Sequence, residues 1–397
     1  MKVFLVSPNE RNFLWNAGDR MPLGLLYVSS ALTGNQIDNE VFDLNHFDTE
    51  RFVEEVKEKK PDLVGLSIPS SPSYNQMRKL AEKIKPYAGS IVAGGPHVSA
   101  LPDSLDGLVD SVVNGYGEEG ILEVINGRRG KITKPVDINK FPLPNRQKLG
   151  YRNYAMWTEG LKTATIITSR GCPYNCVFCA SHERKVQFRD PENVKEEIRQ
   201  LRKQDYQAVY VLDENFSINR RHLEEITKVL KKEDMKYKME MRSGDATREI
   251  AEELVKTGCL QVNIGCESGD NEILTMANTG KNVEENREAI HILHKYGIPV
   301  KGFFIIGLPG ETEETARKTI EFAEEMRHNG LKYADFYTLT PFPGNPVWDN
   351  PEKYGLRILS RDFDSYLQKG DPVIETENLS KERISKILGE ARARWKR

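Results

Sequence analysis

The run TATIITSRGCPYNCVFCASH, residues 163–182, is the stretch on which this chain turns. It begins as a β-branched strand, Thr165–Ser169, and passes directly into a loop carrying Cys172, Cys176 and Cys179 at C-x3-C-x2-C spacing. A loop of that kind can fold three thiolates around one face of an iron–sulfur cubane. Three ligands for four irons leave one iron open, able to chelate an amine and a carboxylate. His182, three residues after Cys179, leaves a Cys3His zinc site as a second reading of the same stretch. The other two of the five cysteines, Cys259 and Cys266, read as a small buried hydrophobe and a strand-end residue. Three clustered thiols among five point to metal or redox chemistry, not to a disulfide framework.

Working outward toward the C-terminus, strand-like and helix-like segments alternate. Strands are expected at Thr165–Ser169, Ala208–Leu212, Tyr237–Met241, Gln261–Gly265, Val300–Ile306 and Tyr333–Thr340. Helices are expected at Glu192–Gln204, Arg221–Lys231, Thr247–Lys256, Val283–Tyr296 and Glu313–Asn329. Thr312 before an acidic run suits a helix N-terminus, and Gly258, Gly297 and Gly330 suit helix ends. Six β/α units over residues 163–345 predict a partial (β/α)6 barrel with its active site at the carboxyl ends of the strands. Residues 346–397 form a short C-terminal extension with one amphipathic helix, Lys381–Trp395, expected to pack on the barrel.

Toward the N-terminus, Pro135, Pro142 and Pro144 mark residues 131–162 as an extended linker. Residues 1–130 alternate again, with apolar strands at Val3–Val6, Val41–Leu44, Leu63–Ile68, Ile91–Ala93 and Val109–Val113. Near-continuous apolar strands separated by helices predict a doubly wound, flavodoxin-like α/β domain with a five-stranded parallel sheet. Its ligands would sit at the strands' carboxyl ends.

The 397 residues carry 57 Lys and Arg against 59 Asp and Glu, a net charge of −2, which supplies no bulk drive toward nucleic acid or an anionic membrane. Arg392, Arg394, Lys396 and Arg397 read as a solvated helix end. The opening MKVFLVSPNE is too short for a signal peptide, and no run approaches the about 18–20 apolar residues of a membrane span. A cytoplasmic location is expected.

The CPYNCVFC run, with Phe178 before its third cysteine, resembles the signature of the radical S-adenosylmethionine (SAM) superfamily. The resemblance continues at VLDENF (211–216), GCESG (265–269), GLPGET (307–312) and TPFPG (340–344), each at the carboxyl end of a barrel strand. It implies a [4Fe-4S] cluster on Cys172, Cys176 and Cys179 that cleaves SAM reductively to a 5′-deoxyadenosyl radical. It also implies SAM contacts at Phe178, Asp213, Glu214, Arg242, Glu267, Ser268, Gly307, Pro309 and Pro341. One departure is Cys266, where the family usually has an aliphatic residue; it reads as a neutral substitution or a thiol within reach of the radical. Arg184, Arg242 and Glu311 near the expected mouth read as solvated, or as groups for a charged substrate.

PLGL (22–25), DLVGLS (62–67), GGPH (94–97) and NGYGE (114–118) resemble the cobalamin-binding domain of the class B radical SAM methylases. The resemblance implies cobalamin contacts at Ser7, Pro8, Ser67, Ser70, Gly94, Gly95, His97, Gly115, Gly117 and Glu118. A D-x-H-x-x-G motif is missing. Asp43-Leu44-Asn45-His46 has the wrong spacing, so no protein histidine is expected on cobalt. The implied reaction is methylation of an unactivated carbon on a small-molecule or peptide substrate, with electrons from an external flavodoxin- or ferredoxin-type reductant. Two other readings stay open: a non-methylating radical cyclisation, oxidation or rearrangement, and a zinc-stabilised nucleotide-binding scaffold.

Overall fold

The computed structural model describes residues 1–11, 19–140, 142–150, 154, 156–181, 183–367 and 369–396. His182 and Arg397 lie outside the described residues. The chain divides into two compact units, Met1–Met156 and Trp157–Arg397.

In the first unit, β1 (Lys2–Ser7), α1 (Leu23–Gly34), β2 (Asp38–Asp43), α2 (Thr49–Lys59), β3 (Leu63–Ser67), α3 (Tyr74–Ile84), β4 (Ile91–Gly94), α4 (Pro96–Ala100), β5 (Ser111–Asn114), α5 (Gly117–Ile125) and β6 (Gly130–Thr133) follow in order. The sheet runs β2-β1-β3-β4-β5-β6, with every pair parallel. This is the flavodoxin-like order, whose chain reverses direction of travel between β1 and β3. Apolar strands can be buried on both faces because each face has its own core. Phe4, Val6, Leu66 and Ala93 pack beneath α2 and α3, while Val3, Leu5, Val92 and Val113 pack with Leu26 of α1 and Ile121 of α5. β6 is a sixth strand, formed where the sequence predicts the start of the extended linker. Its Gly130–Thr133 backbone is extended, as expected there, and finds its hydrogen bonds on the free edge of β5.

In the second unit a seven-stranded sheet runs β15-β14-β13-β12-β11-β8-β7. Its members are β7 (Met156–Thr158), β8 (Leu161–Ile166), β11 (Ala208–Val211), β12 (Lys236–Met241), β13 (Cys259–Glu267), β14 (Val300–Ile306) and β15 (Leu331–Thr338). The six strands β8 to β15 pair in parallel with consecutive neighbours, as the expected partial barrel requires. β9 (Ser169–Arg170) and β10 (Gln187–Phe188) form a small antiparallel ladder across the base of the cysteine loop. The covering helices are α6 (Pro191–Lys203), α7 (Arg220–Lys232), α8 (Arg248–Thr257), α9 (Asn271–Met276), α10 (Val283–Lys295) and α11 (Glu313–His328).

Their ends follow the local chemistry. Asp190, Asn219 and Thr247 cap α6, α7 and α8, and Asn282 and Thr312 open capping boxes at α10 and α11. Gly258, at φ +90°, closes α8 in the left-handed region that glycine adopts at least cost. The tail holds α12 (Pro346–Asp349), β16 (Leu356–Ile358), β17 (Ile374–Thr376) and α13 (Lys381–Lys396). Ile384, Ile387, Leu388 and Ala391 of α13 are buried, and the helix packs against β14, β15 and α11. Among the described residues, no helix is long and apolar enough to cross a membrane.

Candidate active site

The cysteine loop leaves β9 at Gly171, whose φ of +102° and closeness to the Lys185 carbonyl, 2.7 Å from where a Cβ would stand, leave no room for another residue. The loop's backbone is then tied to four other segments of the second unit. Cys172 N–H donates to Glu183 O at 2.9 Å, and Gly171 N–H donates to the Glu214 carboxylate at 3.2 Å. Val177 N–H donates to Ala277 O at 3.1 Å, and Asn278 Nδ2 donates to Asn175 O at 2.8 Å. Asn345 Nδ2 reaches Phe178 O at 3.1 Å, and Val347 N–H reaches Val177 O at 3.3 Å. The Arg242 guanidinium lies 4.0 Å from the centre of the Tyr174 ring, and Arg184 donates to Tyr174 O.

All three thiols are half-buried and free of disulfides. Burial pushes the Cys176 thiol up to about 11 and also raises Cys179. Around Cys176 and Cys179 a bare thiolate is disfavoured, and a bound cation would supply the compensating charge. This soft donor set fits an iron–sulfur cluster. Among the described residues, no three His, Cys, Asp or Glu side chains converge tightly enough to hold one metal ion.

At the end of β13 the register with β14 slips between Gly265 and Glu267, and Glu267 stands at φ +62°. A bulge of this kind re-aims a side chain. The Glu267 carboxylate folds over Gly265, where any side chain would collide with it, and pairs with Lys281 Nζ at 3.5 Å. Burial raises Glu267, with Lys281 opposing the shift. Lys281 also donates to Gly265 O, so one ammonium fixes both ends of the turn. No local signal in the sequence pointed to Lys281, Asn278 or Asn345. Each is brought to the site by an element far from the cysteines.

Of the SAM candidates, Phe178, Glu214, Arg242 and Glu267 are exposed or half-buried around the cysteine loop, and Gly307, Pro309 and Pro341 are buried at the ends of β14 and β15. Two are turned inward. Asp213 is 1% exposed and its oxygens accept from Thr168 N–H, Thr168 Oγ1 and Ser169 Oγ, each at 2.6 Å, so it braces the end of β8. Ser268 is buried against α11, with Thr319 Oγ1 3.1 Å away. Arg242 and Arg184 are engaged with the cysteine loop, and Glu311 is wholly buried instead of solvated. Its carboxylate accepts from Gly307 N–H, and burial pushes it up to about 8. Cys266 is also wholly buried, on the helix side of β13, and its thiol is pushed up to about 12. It packs as a small hydrophobe.

In the first unit, Gly115 is exposed and Ser67 and Gly94 are half-buried at strand ends, while Ser70, beyond β3, is half-buried and donates its hydroxyl to Glu10 at 2.9 Å. A Cβ on Gly115 would meet nothing within 4 Å, and one on Gly94 only the Val113 side chain and carbonyl at 3.9–4.0 Å, so backbone there is approachable by a large ligand. The other candidates have internal roles. Ser7, Pro8 and Glu118 are buried. Gly95 passes the Ile68 carbonyl, 2.6 Å from where a Cβ would stand, and Gly117 makes room for Val28. His97 is 2% exposed, bonded through Nδ1 to Ser71 Oγ at 2.9 Å and packed on the Tyr74 ring, and burial lowers it to about 4. It is a neutral internal brace.

Residues 166–323 match the family model of the radical SAM superfamily, and residues 16–125 match that of the B12 binding domain. The chain is 29% identical to an uncharacterized methyltransferase of Pyrococcus horikoshii over 98% of this chain and 91% of that one. It is 26% identical to the anaerobic magnesium-protoporphyrin IX monomethyl ester cyclase of Rubrivivax gelatinosus over 92% of this chain and 72% of that one. Among solved structures it resembles the radical SAM methyltransferase TsrM from Kitasatospora setae, with cobalamin and a [4Fe-4S] cluster bound. The TM-score is 0.74 at 18% identity, over 91% of this chain and 77% of that one. With both domain models matched in this order around the three-cysteine loop, the chain belongs to the radical SAM superfamily, in the subgroup that carries an N-terminal B12-binding domain.

Proposed function

We propose that this chain is a cobalamin-dependent radical SAM methyltransferase acting on an unactivated carbon. The observation that carries this is the pairing of a three-thiol loop at the carboxyl ends of barrel strands with a separate flavodoxin-like unit whose strand ends are open at Ser67, Gly94 and Gly115. When bound, the cluster would supply the electron that cleaves SAM, and cobalamin the methyl group.

The chain's own residues would bind, orient and exclude water. Cys172, Cys176 and Cys179 would hold the cluster, which would supply the site that takes the amine and carboxylate of SAM. Glu267, pinned by Lys281, presents a carboxylate whose direction the bulge sets. Phe178 offers an aromatic face beside the adenine, and Glu311 holds the backbone at Gly307 so that the β14 end keeps its shape. A site rigid before SAM arrives is the protein's share of catalysis here. The electron would come from a flavodoxin- or ferredoxin-type protein, and the need for reduced thiols suits the cytoplasm.

The test is an anaerobic incubation of the cluster- and cobalamin-loaded chain with reductant, methyl-labelled SAM and a fractionated extract. 5′-Deoxyadenosine and S-adenosylhomocysteine should accumulate in equal amounts, with label in a new product. 5′-Deoxyadenosine without S-adenosylhomocysteine or labelled product would overturn methyl transfer. It would favour a non-methylating reaction, as the name of the magnesium-protoporphyrin relative suggests for that protein.

A further inference from the structure

The inner wall of the barrel is polar, which the proposed reaction does not require. Along β12 and β14 burial alternates strictly: Met239, Met241, Phe304 and Ile306 lie under the helices, and Lys238, Glu240, Lys301 and Phe303 face inward, half-buried. The register carries this face across the sheet, aligning Tyr210 with Lys238, Glu240 with Asn263, Asn263 with Lys301, and Phe303 with Asp335. Complete β/α barrels fill these positions with branched aliphatics. Here Tyr210 donates to Glu240, Asn263 Nδ2 donates to Glu240 Oε1 at 2.8 Å, and Lys238 Nζ lies 4.3 Å from the Tyr210 ring centre. On the facing strands Asp335 bridges Lys301 at 2.6 Å and Lys369 at 2.8 Å.

The amino ends of the outer strands approach each other. Glu159, in the turn before β8, accepts from Lys332 Nζ at 2.9 Å and Tyr333 Oη at 3.2 Å, both on β15. The lumen is therefore bridged at its base, while the cysteine loop stands at the carboxyl ends.

Methylation of a carbon by this route transfers a hydrogen atom and a methyl group, and no proton has to be moved at the substrate. The titratable lumen groups are then left for recognition. Among the described residues, the ammonium groups of Lys238 and Lys301 and, reaching over from the exposed C-terminal tail, Lys369 stand beside the Glu240 and Asp335 carboxylates. Asp335 is neutralised by two of the ammoniums, and burial raises Glu240 toward its neutral form. The balance is cationic, in a half-buried cleft where these charges are screened less than in open water. Above the ammoniums, Phe303 and Ile305 supply an apolar wall toward the rim.

We propose that the substrate enters the barrel by an anionic end, a carboxylate or a phosphate seated at Lys238 and Lys301, with its reacting carbon held higher, beside Phe303 and Ile305. This rests on the methyltransferase reading above. It excludes a substrate that is hydrocarbon throughout the part inside the barrel.

Calorimetric titration of the loaded, full-length chain with glutarate and with inorganic pyrophosphate tests it. At least one probe should bind in the millimolar range, and the tighter of the two identifies the head group. Lys301→Met should weaken it about tenfold, equivalent to 1.4 kcal/mol. Asp335→Asn should tighten it roughly threefold, because it removes the carboxylate that competes with the anion for Lys301. General damage to the barrel would weaken binding in both variants, so the opposite signs are the signature. No heat from either probe at about 10 mM, or both substitutions acting in the same direction, would overturn the proposal. The labelled-SAM assay on the parent chain reads methyl transfer without reference to the anion, so either reading can fail alone.

Discussion

Glu311 shows how much one buried carboxyl can report. Its folded-state value of about 8 lies far above the ordinary 4.5, and burial is the cause. Between those values the folded chain keeps a proton that the unfolded chain has released. The stability tied to Glu311 is therefore fully present below about pH 4.5 and is lost as pH rises through about 8, at roughly 1.4 kcal/mol per pH unit between them. Glu311→Gln keeps an acceptor for Gly307 N–H and carries no titrating proton. The variant and parent should melt together near pH 5, and the variant should melt higher at pH 8.5. Thermal unfolding across that range checks this. Curves that stay parallel would show that Glu311 does not titrate in the window. The same residue marks a limit of sequence reading, which took it for a mouth charge because GLPGET carries no sign of which side chain turns inward.

At the scale of elements, the cluster loop depends on helix ends and strand ends that it does not adjoin in sequence. Asn345 is wholly buried; its Oδ1 caps α12 by accepting Trp348 N–H at 2.8 Å, and its Nδ2 holds Phe178 O. Asn345→Asp keeps the cap and loses the donor, while Asn345→Ala loses both. The Ala variant should lose about 1–2 kcal/mol of stability, and both variants should release iron to a chelator several-fold faster than the parent. Equal release rates would show that the Phe178 tie does not restrain the loop. The predicted helices α6, α7, α8, α10 and α11 agree with the structure to within a residue at either end. Periodicity does not reveal α9, because six residues after a bulge are too few to show it.

At the scale of the whole molecule, the first unit's sheet either holds cobalamin or keeps the fold without it. Cobalamin added to the full chain should raise its melting temperature, by about 2.7 kcal/mol of stability at a hundred times its dissociation constant. It should also stay bound through gel filtration. His97→Ala should destabilise the chain and leave the visible spectrum of the bound cobalamin unchanged, since His97 is bonded to Ser71 and packed on Tyr74. A shifted spectrum would put an imidazole on cobalt. Loss of cobalamin during filtration would mean that Gly94 and Gly115 are relics of a ligand site.

The sequence by itself determined the order of the main strands and helices, both fold classes and the three thiols. Hydrophobic periodicity, capping residues and cysteine spacing are local properties, readable without knowing what lies opposite. Only the tertiary structure decided which polar side chains face a cofactor and which face the core. Asp213, Ser268, His97 and Glu118 carry the right chemistry in the right motifs, and all four are buried. Lys281, Asn278, Asn345 and the lumen pairs Lys301–Asp335 and Glu240–Asn263 follow from register between strands and from chain returning over long separations. A side chain's partner is set by the neighbouring strand, and no short window of sequence contains it.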